Sequence, residues 1–254
     1  MIVEEPPPVH LEVTAVSHRG LVREANEDAV GIDGWVLTGQ EAGPLSLVLA
    51  PRPEGVTVAV ADGMGGHRGG AEASRHALAV LLAMGADLRE ALWAAAEALR
   101  ARSGEEPALR GMGTTVVGLR VLPDGNATVF NVGDSRAYRL VEGYLGQLSI
   151  DDRPAPATPE NRGVVTQSLG GDRVVALDPH LHEVRLVPGD RLLLCSDGLH
   201  DMVPDDAIAE CLRLPALEAA AALLTAALDA GGRDNVSLAV VDVHAGGGGA
   251  GDGE

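Results

Sequence analysis

The placement of acidic residues at the borders of apolar runs is the feature that most constrains this chain. Asp62 and Asp197 each close an apolar run, whereas Asp28 and Asp234 each open one. In an antiparallel sheet the end of one strand lies beside the start of its neighbour. We therefore expect these four carboxylates to meet at one edge of a β-structure.

An Asp-Gly pair alone is weak evidence, because Asp tolerates tight turns and Gly accepts a positive φ. Asp124-Gly125 lies between two strand-like runs, and a hairpin turn explains it. Asp62 and Asp197 differ from that pair, since a helical pattern follows each of them rather than a second strand. Asp134, which lies between two further strand-like runs, would bring a fifth carboxylate to the same edge.

The crowding of these carboxylates indicates bound cations. Carboxylates that lie close together repel and raise one another's pKa values, so the cluster is costly without positive charge. The candidate ligands are all oxygens, without a Cys pair or an HExxH pattern, which favours Mg²⁺ or Mn²⁺ over zinc. Two such ions about 3.5–4 Å apart can share a carboxylate and lower the pKa of a bridging water. The residues thus predict hydrolytic chemistry.

Six sequence blocks, spread from about residue 11 to 243, carry a resemblance to a known family. In type and order they resemble the bacterial metal-dependent Ser/Thr protein phosphatases of the protein phosphatase 2C family. The blocks are Arg23 with Asn26-Glu27-Asp28, Asp62-Gly63-Met64-Gly65-Gly66-His67, Gly113-Thr114-Thr115, Gly133-Asp134-Ser135-Arg136, Ser196-Asp197-Gly198 and Arg233-Asp234-Asn235.

The resemblance implies a centre with two Mn²⁺ or Mg²⁺ ions. Asp62 would bridge both ions, the carbonyl of Gly63 would bind one, and Asp197 and Asp234 would bind the other. The implied reaction is in-line attack of metal-bound hydroxide on a phosphomonoester, without a phosphoenzyme. No Ser or Cys nucleophile is needed for that reaction.

Further residues are expected to extend or support the centre. By resemblance, Glu27 and Asp28 are ligands or act through water, and Asp134 helps to hold a third, weaker metal ion. Thr114 would support the metal-binding loop. We expect Asn235 to fix the turn that aims Asp234, an indirect role in metal binding.

The resemblance also implies two residues that act on the substrate. Arg23 matches the arginine that binds the substrate phosphate, a task suited to a planar guanidinium with paired donors. The position two residues after Asp62 carries Met64, where better-known eukaryotic members have a candidate acid histidine. His67 is the candidate general acid here. The alternative is that His67 only braces the glycine loop or starts the following helix.

Other polar residues are given structural interpretations. Ser135 and Arg136 are expected to pair with neighbouring acids. His180, His182 and His200 lack the spacing of a metal set and are interpreted as ordinary surface or boundary residues. Cys195 and Cys211 are interpreted as buried packing thiols.

The run pattern predicts an α+β fold. Segregated strands and helix pairs suggest sheets inside and helices outside, and the resemblance sharpens this to a central antiparallel β-sandwich flanked by helix pairs on both faces. The segment 39–55, with three prolines, is expected to be a loop or irregular hairpin. Strands are predicted near 11–17, 29–37, 56–61, 115–122, 127–132, 136–141, 164–168, 181–187, 191–196 and 236–243, and helices near 70–84, 87–102, 205–213 and 215–229.

A single catalytic domain is expected over 11–243. Residues 1–10 are expected to be a flexible N-terminal segment, and the Gly-rich tail 244–254 to be disordered. The segment 151–163 is short and Pro-rich where family members carry a longer flap, so we expect an extended loop and an open site.

Composition limits the partners. A net charge of −18 and a pI near 4.7 oppose binding to nucleic acid or to an anionic membrane. The sequence has neither a signal-peptide pattern nor an apolar run of the roughly 18–20 residues needed to span a bilayer. A cytoplasmic monomer is therefore expected.

Three functions remain open at this level. The first is a phosphatase acting on phosphoserine or phosphothreonine in proteins, opposing a Ser/Thr kinase. The second is a non-catalytic phosphoprotein-binding protein with the same fold, which predicts loss of Asp62, Asp197 or Asp234, yet all three are present. The third is a phosphatase of small phosphorylated metabolites, which the short flap leaves open.

Overall fold

The computed structural model describes residues 8–65, 67–85, 87–156, 158, 161, 163–171 and 176–246. For His67 it describes the backbone but not the side chain. Within these ranges the chain forms two antiparallel sheets. The first sheet has six strands in the order β10-β9-β13-β14-β1-β4. Its strands are β1 (Val9–His18), β4 (Glu41–Leu49), β9 (Arg136–Val141), β10 (Tyr144–Gln147), β13 (Arg191–Cys195) and β14 (Val236–Ala245).

The second sheet has eight strands, with the order β11-β6-β5-β7-β8-β12 and a branch in which β2 pairs with β5 and β3. Its strands are β2 (Asp28–Ile32), β3 (Trp35–Leu37), β5 (Val56–Met64), β6 (Gly113–Thr114), β7 (Val116–Val121), β8 (Asn126–Val132), β11 (Leu169–Gly170) and β12 (His180–Arg185).

Two groups of helices cover the outer faces of the sheets. None of the helices in the described ranges is both long and apolar enough to cross a bilayer. The helices are α1 (His67–Ala83) and α2 (Leu88–Glu105), followed by a 3₁₀ turn (Pro107–Leu109), and then α3 (Asp197–His200), α4 (Asp205–Cys211) and α5 (Ala216–Asp229).

The apolar runs alternate between two cores, because successive side chains of a strand point to opposite faces of the sheet. In β14, Val241 and Val243 pack between the sheets, whereas Leu238 and Val240 pack against the group that contains α4 and α5. β5 follows the same rule, with valines between the sheets and alanines facing α1 and α2. Because both faces of these strands are covered, their sequences are continuous apolar runs rather than alternating patterns. The predicted α-β-β-α sandwich is confirmed.

Several predicted boundaries differ from the structure. The segment 39–55 is not mainly a loop, because Glu41–Leu49 pairs with β1 as an edge strand. Its prolines obscured it, although an edge strand tolerates Pro. The strand expected at 164–168 is absent from the described backbone there, and the short strand Leu169–Gly170 follows instead. The strand predicted at 29–37 is broken by the turn at Asp33 and Gly34, which gives β2 and β3.

The limits of the domain also differ slightly from 11–243. β1 begins at Val9 and β14 ends at Ala245, and these two residues are paired. Both strands therefore extend two residues beyond the expected range. Residues 1–7 and 247–254, where flexible termini were expected, lie outside the described residues.

Packing of Phe130 over Gly118 gives a test of the helix-facing core. The two residues are cross-strand partners on β8 and β7, and a Cβ added to Gly118 would lie 2.2 Å from Cζ of Phe130. Gly118→Ala must displace a buried ring, so we expect a loss of about 1–3 kcal/mol in the free energy of unfolding, measured by urea denaturation. Gly104→Ala, on an exposed helical site with open space around it, is the matched control and should not destabilise. Equal stability of the two variants would contradict this packing.

Candidate metal centre

Asp28 and Asp62 form the centre of the acidic cluster. They are directly opposite each other in the register of β2 and β5. Asp28 is only 3% exposed, and its Oδ2 accepts a hydrogen bond of 2.8 Å from Oγ of Ser196. Its other oxygen, Oδ1, is buried and has no hydrogen-bond partner. A buried carboxylate oxygen without a partner is costly unless a cation binds it.

The first sheet supplies Asp197 and Asp234. Asp197 is the first residue of α3 and follows β13 after one intervening residue, and Asp234 precedes β14. The two turns are in close contact, because a Cβ added to Gly198 would lie 1.9 Å from the carbonyl oxygen of Asn235. Glycine is therefore required at 198 for α3 to start beside this turn.

The backbone around Asp62 is held from both sides. The hydroxyl of Thr114 donates to the Asp62 carbonyl at 2.8 Å, and the Thr115 amide donates to the same carbonyl at 2.9 Å. On the opposite side a Cβ at Gly63 would lie 2.1 Å from the carbonyl oxygen of Gly70 in α1. The segment that carries Asp62 and Gly63 is thus fixed between β6 and α1.

Asn235 ties the two sheets together. Its Oδ1 accepts a hydrogen bond of 2.8 Å from the amide of Glu27, which precedes β2. Its Nδ2 donates to the carbonyls of Arg19 and Ala25 at 2.8 and 2.9 Å. The turn that carries Asp234 is therefore fixed to the segment that carries Glu27 and Asp28.

Asp134 lies at the side of the cluster and is engaged by Arg153. Nε of Arg153 donates to Oδ2 of Asp134 at 2.8 Å. The same guanidinium lies 3.2 Å from Oδ1 of Asp201 and 3.9 Å from Oδ2 of Asp197. His200 is buried beside this group, with Nε2 3.1 Å from the Asp134 carbonyl oxygen, so it belongs to the surroundings of the centre rather than to the protein surface.

Arg23 faces the cluster from the solvent side. Its Nη2 lies 2.5 Å from Oδ2 of Asp234, and its side chain remains 55% exposed. Arg23 lines the same cleft as Glu27, Asp62, Asp134, Asp197 and Asp234, a cavity of about 540 Å³. α1 begins at His67, whose side chain lies outside the described residues, so its assignment as general acid stays a prediction.

Burial and mutual repulsion dominate the electrostatics of the centre. Burial, followed by the charges of Asp28, Asp197 and Asp234, raises the pKa of Asp62 well above its ordinary value. Burial also raises the pKa of Asp28 to about 7 and, together with Asp134 and Asp234, the pKa of Asp197 to about 6. Near neutral pH this set resists full ionisation without added positive charge.

The donor set fits divalent metal ions. It combines a buried carboxylate oxygen without a partner, raised pKa values and only oxygen ligands, which suits Mg²⁺ or Mn²⁺. Among the described residues, one group of three possible metal ligands has its ligand atoms within 4.8 Å of one another, and it lies outside this centre, on β1 and β14. The carboxylates of the centre do not form so close a group. That other group, Glu12, Asp242 and His244, shares Asp242 with a bidentate Arg191.

Several residues of the centre were not singled out by the sequence. Asn26 accepts a hydrogen bond from the Asp28 amide and donates to Ser17 and to the carbonyl of Gly39. Ser196 binds Asp28 directly. Both belong to the sequence blocks, so adjacency to an acidic residue was an available signal. Arg153 is adjacent to Asp152 but to no carboxylate that it contacts, and its acidic partners are distant in sequence.

The family follows from the comparison with known sequences. A family model described as protein phosphatase 2C matches residues 49–231, more than half of the chain. The chain belongs to the protein phosphatase 2C family. The resemblance found in the six sequence blocks is confirmed.

Relatives of known name and structure lie in the protein phosphatase 2C family. Ser/Thr protein phosphatase PstP of Mycobacterium tuberculosis is 37% identical over 257 residues, covering 92% of this chain and 45% of the relative. Ser/Thr phosphatase stp of Listeria monocytogenes is 31% identical over 252 residues, 88% of this chain and 92% of the relative. The crystal structure of the PstP catalytic domain with two manganese ions has a TM-score of 0.74 at 36% identity, covering 93% and 99% of the two chains. This chain thus spans about half the length of full PstP.

Repulsion in the centre predicts that a charge-removing variant is more stable when metal is absent. In chelator, Asp62→Asn should melt above the parent protein, since a neutral amide replaces a buried carboxyl group that Asp28, Asp197 and Asp234 repel. In excess Mn²⁺ the order should reverse, because only the parent gains the full binding energy, about 2.7 kcal/mol at 100 times Kd. Differential scanning calorimetry measures both.

Asp124→Asn is the control for this comparison. Asp124 lies in the exposed hairpin after β7 and accepts hydrogen bonds from Asn126. The melting temperature of the Asp124→Asn variant should change with Mn²⁺ by the same amount as that of the parent protein. An Asp62→Asn protein that melts below the parent in chelator would contradict the proposed repulsion.

Proposed function

We propose that this chain is a metal-dependent protein phosphatase that hydrolyses phosphoserine and phosphothreonine. One observation carries the proposal: Asp28 and Asp62 lie opposite each other on the second sheet, beside Asp197 and Asp234 from the first sheet, with a buried oxygen of Asp28 left without a partner. The names of the relatives support the same reaction.

Two ions, Mn²⁺ or Mg²⁺, are proposed for the centre. Asp62 would contact both, the Gly63 carbonyl would contact one, and Asp197 and Asp234 would contact the other. Glu27 and Asp28 would bind directly or through water. Bound divalent ions supply Lewis acidity, which lowers the pKa of a coordinated water and offsets the charge on a phosphate. The PstP catalytic domain, which was solved with two manganese ions, supports a centre for two ions.

The residues around the ions would orient the phosphate ester. The guanidinium of Arg23 is half exposed at the rim and has donors beyond those used by Asp234, so it is available to bind phosphate oxygens. His67 would give a proton to the leaving hydroxyl group, directly or through water. Thr114 and Asn235 would keep Asp62 and Asp234 in position through the backbone contacts described above.

The substrate class is proposed from the names of the relatives and from the residues that line the cleft. Residues 163–168, 170–171 and 176–177 line one wall of the cleft, and we propose that the short flap lets a peptide enter it. We propose phosphorylated proteins as substrates, opposing a Ser/Thr kinase, and a monomeric enzyme. Both cysteines are free, as in a reducing compartment, and we propose the cytoplasm.

The activity itself is the next prediction. Phosphate release from a phosphothreonine peptide and from p-nitrophenyl phosphate should require Mn²⁺ or Mg²⁺ and stop in chelator. Asp62→Asn should lose at least about 100-fold in kcat, because it removes the carboxylate shared by both ions. Asp124→Asn should retain parental turnover.

Each result of this assay has a distinct meaning. If no divalent metal supports turnover above that of Asp62→Asn, the enzyme proposal is wrong. Rapid turnover of the small ester with an inert peptide would instead favour a phosphorylated metabolite as substrate. Turnover of both substrates, with the peptide preferred in kcat/KM, is the expected result.

Arg23→Ala should chiefly weaken substrate binding. We expect KM for the phosphopeptide to rise about tenfold or more, since a charged bidentate contact to phosphate is lost, while kcat at saturating Mn²⁺ changes less. Arg23→Lys should recover part of the loss, because it keeps the charge but not the paired donors. Steady-state kinetics at fixed Mn²⁺ measure this, and an unchanged KM would remove Arg23 from the phosphate site.

A further inference from the structure

Arg153 is a cation placed by the chain itself among the carboxylates of the metal centre. Its Nε contacts Asp134 at 2.8 Å and its Nη1 contacts Asp201 at 3.2 Å. Its Nη2 is buried, has no hydrogen-bond partner and lies 3.9 Å from Oδ2 of Asp197. One guanidinium therefore reaches three aspartates, two of which belong to the proposed metal-binding set.

The backbone next to Arg153 is fixed. The carboxylate of Asp152 accepts a hydrogen bond from the Gly133 amide at 2.8 Å and lies 2.9 Å from Nε2 of His180. The Asp152 amide donates to the Gly133 carbonyl at 3.0 Å, and the Asp152 carbonyl accepts from Thr166 at 2.7 Å. These contacts bind the start of the short flap to the turn that carries Asp134. Hydrogen bonds of the neighbouring backbone thus place Arg153 beside Asp134, although residues 151–154 have no regular secondary structure.

Burial makes this contact strong. The side chain of Asp134 is 4% exposed and that of Arg153 is 26% exposed, so water screens their attraction poorly. A charged hydrogen bond of this kind is shorter and stronger than a neutral one. A metal ion on Asp134 would have to displace the guanidinium or lie against it, and two cations at that distance repel.

We propose that Arg153 is a built-in cation that takes the place of a third metal ion at Asp134, so that this chain binds two divalent ions. The proposal rests on the proposed function, because the other two ions are those of the phosphatase centre. It also replaces the sequence-based expectation of a third, weaker ion at Asp134. The charge of a guanidinium does not depend on the metal concentration, so Asp134 keeps a compensating positive charge at any supply of metal.

Counting bound Mn²⁺ tests the proposal without measuring activity. Equilibrium dialysis with elemental analysis should give two Mn²⁺ per parent chain. Arg153→Gln should bind one additional, weaker ion, because Asp134 and Asp197 lose their internal cation. Arg153→Ala is a second neutral variant for the same measurement, and Arg153→Lys, which keeps the charge, should remain at two.

Two controls locate the additional ion. The double variant Arg153→Gln with Asp134→Asn should return to two ions, since the additional ion needs the Asp134 carboxylate. Arg139→Gln removes an arginine of similar burial, paired with Asp190 at 2.6 Å, and should stay at two. Anomalous diffraction at the manganese edge should place the new ion of Arg153→Gln beside Asp134, and thermal melts in Mn²⁺ check that each variant is folded.

The outcomes separate this proposal from the proposed function. Three ions on the parent chain, or two on both neutral variants in their folded form, would overturn the role of Arg153 and leave the phosphatase proposal standing. A parent chain that binds no pair of ions would overturn both. A gain of one ion in the neutral variants, lost again with Asp134→Asn, supports the internal cation.

Discussion

Mutual repulsion among buried carboxylates is the constraint on which the rest of this structure depends. Asp28 and Asp62 arrive on neighbouring strands of one sheet, and Asp197 and Asp234 arrive from the other. Burial and mutual repulsion raise the pKa values of Asp28, Asp62 and Asp197. A fold that brings these groups together must hold them with many uncharged contacts and leave room for cations to complete the set.

The uncharged contacts come from residues with no part in the proposed chemistry. Ser196 donates a hydrogen bond to the carboxylate of Asp28, and Thr114 donates one to the carbonyl of Asp62. Asn235 accepts one from the amide of Glu27, just before β2. Glycines at 63 and 198 allow backbone segments to approach where a Cβ would collide. Because each sheet is covered by helices on its outer face, the strand ends are held by two cores as well as by local hydrogen bonds.

Much of this arrangement could be predicted from the sequence, since Asp62 and Asp197 end apolar runs and the ends of antiparallel strands are adjacent. β4 was missed because Pro44 and the nearby glycines mask an edge strand, whose pattern is weak when one side is solvated. Arg153 could not be foreseen, because its relation to Asp134 depends on how Asp152 anchors the flap to the turn at Gly133. Periodicity reports which face of an element is buried, but not which distant side chain a loop delivers.

The origin of the acidic residues in two different sheets ties the geometry of the centre to the thickness of the sandwich. Packed sheets lie about 10 Å apart, at a distance set by the side chains between them. Here those side chains are mostly valine and leucine, with the large aromatic Phe130 placed on the helix side instead. The size of the buried aliphatic side chains between the sheets therefore sets the distance between the acidic residues of the two sheets. Substitutions in this core and at the metal centre are expected to be correlated in evolution.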